Sequence, residues 1–187
     1  MSMKKILQLL VIACMVVLGT QVAFANVDKS TVIKDADLTG IHRLAIGSPL
    51  YLQVSEKAPD KSQLTQIVYD ASRVSNAVVV SYDTVADGVK SVKSIDMKAL
   101  PRREGAKVFK ENVVDYADAY VILTVANNSF TEFFFDVYKV GSNDLLYSYA
   151  IAANRHEEDS ADAFLTMSEQ FFKNLDREIA QQEKKKK

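Results

Sequence analysis

The sequence predicts an α/β (α+β) domain, a mixed five-stranded sheet with about three packed helices. Three observations carry that prediction. Strand-length runs rich in apolar and β-branched residues recur at 43–54, 77–85, 118–125, 131–140 and 145–152. Stretches with helical spacing separate the first three runs and follow the last. The fourth and fifth runs are joined by the turn cluster Gly141-Ser142-Asn143-Asp144, as a hairpin requires. The resulting order is β-α-β-α-β-β-β-α. Strand-helix-strand steps favour parallel crossovers, and a following hairpin makes the sheet mixed with helices packed on it.

The first run, "RLAIGSPLYLQV", spans Arg43 to Val54 and is interrupted at Gly47-Ser48-Pro49. Proline cannot donate to a ladder, so a bulge or an edge is expected there. Asp60 is placed to cap the next helix, with Gln63 three residues on. Leu64, Ile67, Val68, Ala71 and Val74 then fall at helical spacing. "AVVVSYDTV", Ala77 to Val85, reads as the second strand and Asp87-Gly88 as a turn. Ile95 to Ala117 is a weaker helical region, broken or started by Pro101. "DAYVILTV", Asp118 to Val125, is almost continuously apolar, the pattern of a central strand covered on both faces. Phe133, Phe135 and Val137 share one face of the following strand, and Leu145, Tyr147, Tyr149 and Ile151 one face of the next. The last helix carries Phe164, Met167, Phe171, Leu175 and Ile179 on one stripe. Leu64, Val68, Tyr120, Ile122, Phe135 and Phe171 are the expected core.

The N-terminus has the layout of a secretory signal peptide. Lys4 and Lys5 are the positive region, and Ile6 to Leu18 is apolar apart from Gln8. That 13-residue core is shorter than the ~20 residues needed to span hydrocarbon. Ala23-Phe24-Ala25 supplies small residues for cleavage between Ala25 and Asn26. Val11-Ile12-Ala13-Cys14 resembles a lipobox, but lipidation at Cys14 would leave Met15-Val16-Val17-Leu18 as a greasy mature terminus. Cys14 therefore reads as a hydrophobic member of the signal. The expected organisation is a signal peptide at 1–25, a leader at 26–42, the domain at 43–180 and a basic disordered tail at 181–187. The expected location is the periplasm or cell envelope.

The chain's single cysteine lies in the signal, so thiol catalysis and cysteine metal sites are excluded from the mature part. The whole chain has 23 Lys and Arg against 24 Asp and Glu, and removing Lys4 and Lys5 leaves a net charge of −3. Setting aside Lys184 to Lys187 as well leaves −7. Such a body lacks the basic footprint of a nucleic-acid binder. The four lysines read as a solubilising tail in preference to an anchor on anionic headgroups.

No phosphate-loop, dinucleotide, nucleophile-elbow or HExxH motif occurs. "RHEED", Arg155 to Asp159, gathers an imidazole and carboxylates. Their consecutive placement before a helix reads as N-terminal charge compensation, not as a metal site. Asp115 and Asp118 flank Tyr116 and read as turn aspartates, with a carboxylate hydrolase as the rival reading. Asp83 and Asp136 read as solvent-facing strand residues. No catalytic, cofactor or metal residues are assigned. The alternation of the hairpin turns Phe134 and Tyr138 away from the core face, and aromatics on an outer face suggest a contact patch.

"RLAIGSPLYLQV", "YADAYVILTVANNS" and "FFFDVYKVGSNDLLYSYAIA" resemble the strand motifs of small α/β modules of bacterial envelope proteins. The similar families are the CsgG-type curli-secretion lipoproteins and the N-terminal domain of the Tol translocation protein. The resemblance covers roughly Arg43 to Ile179 and carries over no site residues. It implies an assembly or docking role without catalysis, with other envelope proteins or copies of the chain as partners. The alternative class is a small-ligand binder with a pocket at the C-terminal edge of the sheet. The exported protein is expected to begin at Asn26. Intact-mass measurement checks this, and a mass carrying diacylglycerol on Cys14 would contradict it.

Overall fold

In the computed structural model, residues 28–53, 60–127, 131–153 and 160–186 are described. Cys14, Ala25, Asn26 and the run Arg155 to Asp159 lie outside them. The strands are β1 (Asp28–Val32), β2 (Arg43–Ile46), β3 (Leu50–Gln53), β4 (Val78–Val80), β5 (Ala119–Asn127), β6 (Thr131–Lys139) and β7 (Leu145–Ala152). The helices are α1 (Lys61–Ala71), α2 (Tyr82–Lys93), α3 (Arg102–Asn112) and α4 (Ala161–Lys186). The spatial order is β1-β7-β6-β5-β2-β4, and β3 continues beside β5 where β2 stops. β2 pairs in parallel with β4 and β5, whereas β1, β7, β6 and β5 form an antiparallel series. The mixed α/β class is as the sequence predicts, with seven strands and four helices among the described residues instead of five and three.

Three departures account for the extra elements. Residues 28–32, inside the expected leader, pair with β7 along their whole length. The break at Gly47-Ser48-Pro49 divides one strand into β2 and β3. The third is the run from Ala77 to Val85, which is a strand only over Val78–Val80. Ser81 then caps α2 by accepting from the Thr84 amide at 3.0 Å. Asp83 therefore sits in a helical first turn, not in a strand, and Val85, Ala86 and Val89 turn inward. Asp87-Gly88 is mid-helix, not a turn. A Cβ on Gly88 would lie 2.0 Å from the Tyr116 hydroxyl, so a larger residue there would have to displace the Tyr116 ring. The weaker region from Ile95 to Ala117 resolves into α3, beginning after Pro101, and a 3-10 turn at Val113–Asp115. The hairpin turn between β6 and β7 uses positive φ at Gly141 (87°) and Asn143 (59°).

The chain leaves β2 and β3 for α1 on one face, and leaves β4 for α2 and α3 on the other. Two cores result. The larger lies under α1 and α4 and takes Leu44, Ile46, Val121, Leu123, Phe133, Phe135, Tyr147 and Tyr149 from the sheet. Phe171 is fully buried there, stacked on Phe135 with ring centroids 4.3 Å apart and planes 8° from parallel. The smaller core lies under α2 and α3 and takes Ala45, Val80 and Tyr120. The expected core residues Leu64, Val68, Tyr120, Phe135 and Phe171 are buried, while Ile122 is half-buried against the smaller core.

α4 runs through residues 181–186, which the sequence reading left as a disordered tail. The reason is a set of contacts with the loop after β1. Gln182 accepts from the Leu38 amide at 2.8 Å and donates to the Ala36 carbonyl at 3.0 Å. Lys186 reaches both carboxylate oxygens of Asp37 at 2.8 Å. Lys186 and Thr39 hold the Asp37 carboxyl down at about 2.

Phe171→Ala is expected to cost about 3–5 kcal/mol in denaturant unfolding. A loss below ~1 kcal/mol would show that α4 is not packed through this ring. A second expectation concerns alkali. Burial pushes the Tyr120 hydroxyl up to about 12. Burial raises Tyr147 and Tyr149 as well, the latter with help from its hydrogen bond to Asp28. Folded values raised above the ordinary ~10 mean that this contribution is intact below pH ~10 and is lost as pH rises through the folded values. Stability should therefore fall above pH ~10, with tyrosinate absorbance of the buried rings appearing only as the fold is lost. All eight tyrosines ionising near pH ~10 in a folded chain would contradict this.

Candidate binding groove on the open face of the sheet

The two faces of the sheet are covered unequally. α1 and α4 close one face across β1, β7, β6, β5 and β2, leaving Phe133, Phe135, Val137, Tyr147, Tyr149 and Ile151 buried. On the opposite face, α2 and α3 cover β4, β2 and the start of β5, and the smaller core ends at Tyr138 and Val140. The alternation of β6 places Glu132, Phe134, Asp136 and Tyr138 on this face, all half-buried. Phe134 sits between Thr124 of β5 and Ala150 of β7. Asp136 accepts from the Ser148 hydroxyl across the pair at 2.5 Å, which explains a carboxylate inside a strand. Tyr138 stacks on Tyr120 at 5.3 Å, and the Lys110 ammonium lies 5.8 Å from the Tyr138 ring centroid.

Beside Tyr138 the sheet and its helices enclose a pocket of about 570 Å³. Its floor is Leu50, Met97, Leu100, Phe109 and Ile122, and Tyr82 and Tyr138 are its aromatic walls. Burial raises both tyrosine hydroxyls from their ordinary value. Ser48 follows β2 and Tyr82 follows β4, so the pocket opens at the carboxyl ends of two adjacent parallel strands. The chain departs from those ends toward opposite faces of the sheet. Crevices at such a reversal are where open α/β sheets hold ligands. Four cations, Lys61, Lys98, Arg102 and Lys110, stand at the rim with one carboxylate, Asp83. Lys98 is committed to Asp83 at 2.8 Å and also lies 3.6 Å from Asp87; the Asp83 contact is the main cause of its raised pKa.

Asp115 and Asp118 do not converge on this pocket. Asp118 accepts from the backbone amides of His42 at 3.0 Å and Arg43 at 2.8 Å, so it secures the entry to β2. Asp115 ends the 3-10 turn with its side chain exposed. Neither aspartate lines the pocket. Among the described residues no group of three or more His, Cys, Asp or Glu side chains is placed to hold a metal, and no helix is long and apolar enough to cross a membrane.

Strand alternation puts Phe134 and Tyr138 on the outward face, and the ligand-binding alternative expects a pocket at the C-terminal edge of the sheet, where one lies, but names none of the residues that line that pocket. Its rim cations come from three segments that only the fold unites. One local signal was present: Arg102, Ala106, Phe109 and Lys110 fall at helical spacing on one face of α3.

No family model and no curated protein matches the sequence. Among solved structures the chain is similar to the PelC dodecamer from Paraburkholderia phytofirmans, at 8% identity over 81% of this chain and 98% of that one, with a TM-score of 0.48. It is similar to the LpoB C-terminal domain from Escherichia coli, at 14% identity over 61% and 84%, with a TM-score of 0.47. It is similar also to a DUF4136 family protein from Bacteroides thetaiotaomicron, at 8% identity over 80% and 97%, with a TM-score of 0.43. These matches do not show the curli-secretion or Tol resemblance read from the sequence. The class defined by the fold is a mixed α/β module with one face of its sheet closed and the other half open.

Truncations should separate the two outward aromatics. Phe134→Ser is expected to cost roughly 1 kcal/mol, and Tyr138→Ser more, about 1–3 kcal/mol, because it also loses the stacking on Tyr120. Denaturant unfolding of the two variants checks the order. The reverse order would place Phe134 in a packed core.

Proposed function

We propose that this chain is an exported cell-envelope module that acts without catalysis and docks other envelope proteins on the open face of its sheet. The observation that supports the reading is the pair Phe134 and Tyr138, half-buried on the outward face of β6 where the second core ends. Aromatics in such positions supply large contact area at small entropic cost, and they are enriched among interface anchors. The absence of convergent carboxylates at Asp115 and Asp118 favours docking over hydrolysis. The signal-like N-terminus supports export.

The test is site-specific photocrosslinking in the native cell. A benzophenone amino acid at Phe134 should trap a defined envelope protein, or a second copy of the chain. The same probe at Thr166, exposed on α4, should trap neither. Equal yields at the two positions, or none at 134 with the protein folded, would overturn the docking reading. A second reading, binding of a small ligand, is favoured by the pocket at the carboxyl ends of β2 and β4.

A further inference from the structure

We infer that the pocket between α3 and the open face of the sheet binds an amphipathic anion, one acidic headgroup on an apolar body. The inference rests on the ligand-binding reading above and names the chemistry of that ligand. Three features of the pocket support it. Its volume of about 570 Å³ falls within the ~300–1,000 Å³ of small-molecule sites. Its floor is apolar, with Met97 and Phe109 buried and Leu50, Leu100 and Ile122 half-buried around the opening. Its rim is cationic in a chain whose charge otherwise runs the other way.

The third feature decides the sign of the ligand. Lys98 is neutralised by Asp83, but Lys61, Arg102 and Lys110 have no carboxylate within ion-pair distance among the described residues. They come from the first turn of α1, the first turn of α3 and the end of α3, and they surround one opening. Other described cations, among them Lys29, Lys34, Lys93 and Arg103, also lack a carboxylate within ion-pair distance; what distinguishes Lys61, Arg102 and Lys110 is that all three line one apolar pocket. Unpaired cations beside low-dielectric walls focus a positive potential and raise the local concentration of anions. A bare inorganic anion would use the rim and leave the apolar floor wet. A neutral apolar molecule would use the floor and leave the cations unanswered. A ligand that carries both an acid and an apolar body satisfies both. The headgroup is a carboxylate or a phosphate, and Arg102 can take either through two parallel hydrogen bonds.

The experiment titrates the folded mature protein with four single-chain dodecyl probes below their micelle concentrations, followed calorimetrically. The probes are dodecanoate, dodecyl phosphate, dodecyltrimethylammonium and dodecyl maltoside. Dodecanoate or dodecyl phosphate should bind at one site, at least roughly tenfold tighter than the cationic and neutral probes, and the tighter of the two identifies the headgroup. The double variant R102E/K110E, both positions exposed, should keep its circular dichroism and lose at least roughly tenfold in that affinity. Raised salt should weaken the wild-type binding. Equal binding of all four probes would overturn the anionic assignment while the ligand-binding reading stands. Binding of none would overturn both. Unchanged anion binding by the folded double variant would place the site elsewhere and overturn the assignment to this pocket.

Discussion

The seating of Phe171 on Phe135 is the contact on which the rest of the structure depends. It fixes α4 across the antiparallel half of the sheet, and α4 holds most of what surrounds it. At its N-terminal end Phe164 packs on Phe133, with ring centroids 5.2 Å apart. In its middle Asn174 and Tyr149 meet Asp28 and tie down β1. Asp176 accepts from the Asn76 amide and the Ser75 hydroxyl in the connection between α1 and β4. At its C-terminal end Gln182 and Lys186 clasp the loop after β1. One helix thus joins both ends of the described chain to the sheet. A loss of several kcal/mol at its centre would be a large share of the ~5–15 kcal/mol that keeps a domain folded.

Closing one face so thoroughly has a consequence for the other. The aromatic payload of the chain is concentrated beneath α4, where it stabilises the fold. Only α2 and α3 remain for the opposite face, and they are short helices that reach no further than the Tyr120–Tyr138 stack. β6 and β7 therefore present a half-covered surface, and a pocket opens where α3 parts from β3. The division explains how Phe134 can sit half-buried on the outward face, with Tyr138 at the margin of the smaller core. It also puts Lys61, Arg102 and Lys110 together, although the chain as a whole carries a net charge of −1. Overall charge is a weak guide to local potential when cations from distant segments share one rim.

Much of this was legible in the sequence because the signals were local and redundant. β7 spans the expected Leu145–Ala152 with Tyr147, Tyr149 and Ile151 buried, although a register shift at its start buries Leu146 in place of Leu145, and Asp60 caps α1 through the Gln63 amide at 2.8 Å. The central position of β5 followed from its unbroken apolar run. The misreading of residues 81–88 has a physical cause. Three valines and a tyrosine suggested a strand, whereas a side-chain cap at Ser81 starts a helix. The helicity of 181–186 was hidden for a different reason: its partners, Ala36, Leu38 and Asp37, lie about 145 residues earlier. The outward placement of Phe134 and Tyr138 could be read because strand alternation is a local rule. The rim cations could not, because no local pattern joins residue 61 to residues 102 and 110.

The central claim is that one face of the sheet serves stability and the other serves binding. Heteronuclear NMR of the folded domain from residue 26 onward, titrated with dodecanoate, tests it most directly. Shifts should concentrate at Ser48, Tyr82, Leu100, Phe109, Ile122 and Tyr138, with Phe135, Tyr149 and Phe171 unmoved. Shifts centred on the α4 face, or spread evenly over both cores, would contradict the account.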